Sequence, residues 1–149
     1  VRHRCRVFCP LPPPPPLFPA DAYAKLTDPV APLEYGWISG EGGDPAAGRE
    51  EAERLLAAGD AALLRNVARG PNPEGRIFAA EALLRLESKG RKLSAAEAKL
   101  VDAVRALPVR VTCAAGCLVD RKLGPEALAD GLKEAAEIEQ DKEMDKESK

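Results

Sequence analysis

Four cysteines are the residues of this 149-residue chain best suited to chemistry, and they stand as two C-x3-C pairs, Cys5/Cys9 and Cys113/Cys117. A thiolate is a nucleophile, a metal ligand and half of a disulfide, and the spacing discriminates among these roles. Cys113 and Cys117 flank Ala114, Ala115 and Gly116. A chain bent at Gly116 could close a disulfide between them, whereas a regular helix holds sulfurs at i and i+4 in poor geometry. A structural zinc could use all four thiolates, but zinc ribbons use closer pairs. A thioredoxin-like centre needs C-x-x-C at a helix start, and a c-type haem needs C-x-x-C-H; neither motif occurs. The expectation is a disulfide between Cys113 and Cys117, ahead of free thiols and ahead of a metal or redox centre. No cofactor is expected.

Other chemistry is mostly excluded. His3 is the only histidine and lies in the N-terminal segment, which removes His-dependent triads and His-rich catalytic metal sites. The carboxylates are many, but on the helical pattern they fall on solvated faces beside Lys and Arg, without the apolar flanks that raise a pKa for acid catalysis. Ser39–Gly43 is glycine-rich and precedes a helix start, where phosphates bind. Glu41 and Asp44 would repel a phosphate, and no Walker lysine follows. An enzyme is not expected.

Two groups of residues suit a partner instead. Tyr35 and Trp37 sit in a Gly- and Pro-rich stretch, as an extended arm laid on a helical core or as an amphipathic anchor for another protein. Lys89, Arg91 and Lys92 follow a helix end. They could hold a phosphate backbone, although cations at a helix C-terminus are also favoured by its dipole. A net charge of -2 argues against a dedicated nucleic-acid binder. The segment PLPPPPP contains PxxP, a possible proline-recognition ligand, but proline runs more often act as spacers.

The elements that must carry these residues read as helices. Hydrophobic content is 45% with only 4% aromatic, so the core must be Leu, Val and Ala, which favours close-packed helices. No apolar run has the length of a membrane span. The Ala, Arg, Gly and Pro bias matches a GC-rich bacterial genome. Pro12 to Pro16 force a polyproline II rod. Residues 1–20 therefore read as a disordered arm, with a loose secretory-signal pattern as the alternative and a cytoplasmic location slightly favoured. Asp44 and Pro45 are expected to open a helix ending at Gly59. Asp60 should cap the next, with Gly70 as its stop. Asn72 and Pro73 should begin a third, with Ile77, Ala80 and Leu84 inward and Glu81–Arg85 as an i, i+4 pair on its wetter face. Ser94 and Glu97 form a capping box before a helix stopped by Pro108. Val109–Thr112 is the one β-like run, and a last helix begins at Gly124-Pro125. Residues 139–149 are charged throughout and expected to be disordered.

The hairpin of residues 61–86 resembles one HEAT-type repeat, carried by Pro73 in the turn, Arg76 after it, the Ala79-Ala80 pair, Ala82-Leu83 and Leu86. Gly75 departs from the pattern, where a branched apolar residue is usual. The resemblance implies small alanines that let two helices approach and an arginine that orders the turn. The expected fold is all-α: stacked antiparallel helical hairpins over residues 44–138, after an extended proline-rich arm of residues 1–43. The expected function is a non-enzymatic protein-interaction or scaffold module, using the groove between the helices of 60–107 with Trp37 as anchor. The alternatives are a small thiol or metal-binding protein using Cys113 and Cys117, and a nucleic-acid-binding helical repeat using Lys89, Arg91 and Lys92. The oligomeric state is left open.

Overall fold

The computed structural model describes residues 19–147. Cys5, Cys9, His3 and the proline run lie outside the described residues. The fold is mixed α/β, which corrects the all-α expectation. Among the described residues, six helices, α1 (Pro19–Thr27), α2 (Arg49–Ala58), α3 (Ala61–Ala68), α4 (Pro73–Ser88), α5 (Ala95–Arg105) and α6 (Gly124–Glu147), accompany four strands. The strands are β1 (Tyr35–Ser39), β2 (Asp44–Pro45), β3 (Arg110–Gly116) and β4 (Leu118–Leu123). They form one sheet in the order β2-β1-β3-β4. The central β1–β3 pair is parallel and the two outer pairs are antiparallel. A parallel pair needs a long crossover, and here helices α2 to α5 supply it.

The central hairpin forms for the reasons legible in its residues. Asp60 accepts the Leu63 amide and Asn72 the Gly75 amide, each capping its helix, with Pro73 in the first turn. The Ser94/Glu97 capping box is complete on both sides. The helix expected from Asp44 starts later, at Arg49. Gly48, with φ 101°, turns the chain into it, while Asp44 and Pro45 pair with Ser39 and Ile38.

The wetter face of α4 is also corrected. Ile77, Phe78, Ala79, Ala80, Glu81, Ala82, Leu83 and Arg85 are all buried. Helices α2, α3, α5 and α6 and strands β1 and β3 surround α4. Over residues 77–83 the helix is buried without a break and has no polar face to offer solvent, so Glu81, and Arg85 one turn on, must find partners inside. Gly75, the departure from the repeat pattern, is required by a close approach: a Cβ there would stand 2.0 Å from the Leu26 carbonyl oxygen. Helix α1 thus crosses the head of α4, with Ala22 and Leu26 in the core. Tyr35, expected on an irregular arm, is in a strand and buried. The charged run after residue 138 continues α6 to Glu147.

Candidate functional site

Strand β1 brings the two partner-binding candidates of the arm inward. The Tyr35 hydroxyl donates to Glu81 Oε2 at 2.6 Å, and its ring lies 5.0 Å from that of Phe78. Arg49 Nη1 and Nη2 bind the same carboxylate at 2.6 and 3.0 Å, while Arg49 Nε donates to the Gly36 carbonyl. Burial raises the Tyr35 phenol well above its ordinary pKa, and the Glu81 carboxylate pushes it the same way, so Tyr35 is a neutral donor. Burial opposes the charge on Arg49, but Glu81 more than offsets this and raises its pKa. Paired, hydrogen-bonded charges are the form in which buried ions are tolerated.

Trp37 completes this network. Its ring lies 4.0 Å from the Arg49 guanidinium and 5.1 Å from that of Arg85, and its indole N–H donates to the Gly131 carbonyl at 3.4 Å. Arg85 reaches Glu53 and Glu139. The half-buried indole is therefore held by the fold's own cations and by helix α6. It is a joint between sheet and helices.

The cationic loop is likewise largely satisfied. Arg91 binds Glu97 at 2.7 Å and Lys89 faces Glu139 at 3.4 Å, while Lys92 is exposed. Two of these three cations already face carboxylates.

The remaining candidates lie on the β3–β4 hairpin. Cys113 is half-buried in β3 and Cys117 is exposed at the turn, both as free thiols. Gly116, with φ 58°, makes the tight turn that joins the strands. Strand alternation turns Tyr35, Val111 and Cys113 toward the helices, together with their cross-strand neighbours Asp120 and Lys122. Between this face and α6 is a cavity of about 440 Å³, lined by Tyr35, Cys113, Asp120, Lys122, Gly131 and Glu134 among others. Lys122 binds Asp130 of α6 at 2.6 Å across its mouth, and that bond raises the lysine pKa. Burial pushes the Cys113 thiol up, only partly countered by Lys122. A thiol held protonated is a poor nucleophile. Among the described residues, no group of three or more His, Cys, Asp or Glu side chains is placed to hold a metal ion.

The opposite face and outer edge of the hairpin are open. Val119, 59% exposed, and Leu123 lie on that face, while Leu118, 75% exposed, sits at the turn on the cavity side with Asp120 and Lys122. Strand β4 is terminal in the sheet. The Arg121 N–H donates to Asp120 Oδ1 at 2.7 Å, which marks Arg121 as a residue whose backbone faces away from β3. By antiparallel alternation, Val119 and Leu123 present their N–H and C=O groups outward as well. Sequence reasoning missed this edge because a run of Asp120-Arg121-Lys122 hides the alternation of a strand. The signal available was Gly116, which separates two segments of strand length.

No helix among the described residues is long and apolar enough to cross a membrane. Comparison with family models, with curated proteins and with solved structures finds no match for this chain.

Proposed function

We propose that this chain is a non-enzymatic protein-interaction module whose docking element is the outer edge of β4. The carrying observation is the concentration of exposed apolar side chains on that strand: Leu118, Val119 and Leu123 fall within six consecutive residues of an unpaired edge. An edge strand offers backbone hydrogen bonds to an extended segment, and its alternate side chains offer selectivity. This replaces the helical groove with Trp37 as anchor, because Trp37 is engaged by Arg49, Arg85 and Gly131. It is also favoured over the phosphate-binding reading, because Lys89 and Arg91 face carboxylates.

A photo-crosslinking side chain placed at Leu118 tests the proposal, with Val30, exposed in the loop before β1, as the control position. Defined protein adducts are expected at 118 and not at 30, and an excess of uncrosslinkable protein should compete them away. Indistinguishable patterns at the two positions would overturn the reading.

A further inference from the structure

Resting on the reading of β4 as the docking edge, we infer that its partner is a second copy of this chain, joined by antiparallel pairing of β4 with β4 about a two-fold axis at Arg121.

The residue order of β4 supports this register. A two-fold axis normal to the sheet keeps each strand's faces, so only residues of like alternation can stand opposite each other. With Arg121 on the axis, Asp120 faces Lys122 of the second copy, and Lys122 faces its Asp120, so that each lysine is shared between that carboxylate and Asp130 of its own α6, which it binds at 2.6 Å. Val119 and Leu123 face each other in the same way. Every off-axis pair from 119 to 123 is therefore opposite in charge or apolar on both sides, and such pairs stabilise adjoining strands. Moving the axis to Asp120 would instead set Asp120 against Asp120 and Val119 against Arg121, losing both kinds of match.

The backbone agrees with the same register. Arg121, Val119 and Leu123 are the residues whose amides and carbonyls face outward, so Arg121–Arg121 and Val119–Leu123 become hydrogen-bonded pairs. Asp120–Lys122 becomes a non-hydrogen-bonded pair, in which side chains approach more closely. In the single chain, Asp120 Oδ1 accepts the outward Arg121 amide. Pairing gives that amide a carbonyl acceptor and releases Asp120 for the lysine. The Arg121 guanidinium turns back to the Arg110 carbonyl of its own chain, while the Arg110 guanidinium, which holds the Arg121 carbonyl at 2.9 Å in the single chain, must turn away from the axis for the strands to pair. The two four-stranded sheets become one continuous sheet whose former β4 edges are internal.

The test is mass by light scattering across a concentration series, on the full chain and on D120K, K122D and the double variant D120K/K122D, each checked for fold by far-ultraviolet circular dichroism. The wild type is expected at twice 15.9 kDa. Each single variant sets two like-charged pairs in the interface and should weaken association about tenfold or more. The double variant restores opposite charge in this register and should regain the dimer. A monomeric wild type, single variants that dimerise as well as wild type, or a folded double variant that stays monomeric would each overturn the inference. The edge itself is tested separately: adducts to other proteins at position 118 from a monomeric chain would sink the self-association and leave the docking edge standing, whereas no specific adduct at 118 would sink both.

Discussion

The Tyr35 hydroxyl and the Glu81 carboxylate, 46 residues apart in the chain, meet at 2.6 Å in the core. This contact ties the central strand β1 to the central helix α4, and Arg49 closes it from α2 by holding the same carboxylate at 2.6 and 3.0 Å. Three elements thus share one buried ion pair, with Phe78 and Trp37 stacked around the guanidinium.

Removing the charge of Glu81 leaves Arg49 buried without a counterion. E81Q should destabilise the fold by about 3–5 kcal/mol, read as a lower urea midpoint. Y35F removes one hydrogen bond but no charge, and should cost about 1–2 kcal/mol. If E81Q costs no more than Y35F, the ion pair is not the joint described here.

Helix α6 lies directly against Tyr35. A Cβ at Gly131 would stand 1.9 Å from the tyrosine oxygen and 2.6 Å from the ring carbon that bears it. G131A should therefore destabilise by about 1–3 kcal/mol through overpacking, despite the higher helix propensity of alanine. Y35F in the same chain should recover part of that loss, which thermal denaturation of the double variant measures.

Glu97 gives the fold a defined acid response. Burial opposes its ionisation, but the Ser94 amide and the guanidinium groups of Arg91 and Arg65 more than offset this and lower its pKa from 4.5 to about 2. A pKa lowered by folding contributes stability that is fully present above about 4.5 and is lost as pH falls through about 2. E97Q should flatten the stability–pH curve in that window and cost about 2 kcal/mol at neutral pH. An unchanged acid slope in the variant would show that Glu97 does not carry the response.

The two described thiols should differ in reactivity. Cys117 is exposed, whereas Cys113 is half-buried with its pKa raised. Peptide-mapped alkylation at pH 8 should modify Cys117 first. Modification of Cys113 should still accelerate as pH rises beyond the ordinary cysteine value of about 8.5. Equal rates at the two positions would contradict this assignment.

Three helix starts were legible from neighbours in sequence, whereas the start expected at Asp44-Pro45 was not, because those residues pair with β1. Asp60, Asn72-Pro73 and the Ser94/Glu97 box set helix starts by hydrogen bonds spanning three residues, so their spacing alone determines them. The turn at Gly116 rests on the positive φ of its glycine, and that too is local. Tertiary structure decided the sheet, because β1 and β3 pair across a four-helix crossover: the β-like run Val109–Thr112 marked only the start of β3, and nothing in the sequence paired it with Tyr35–Ser39. It also decided the character of Glu81 and Arg85, an i, i+4 pair with the pattern of a solvated face that is buried because α2, α6 and β1 pack against that side of α4. The same holds for Trp37 and Tyr35: residue type marked them as anchors, but what they hold was fixed by the approach of α2 and α6. The β4 edge follows this rule as well, since a strand's edge exists only once the sheet has an order.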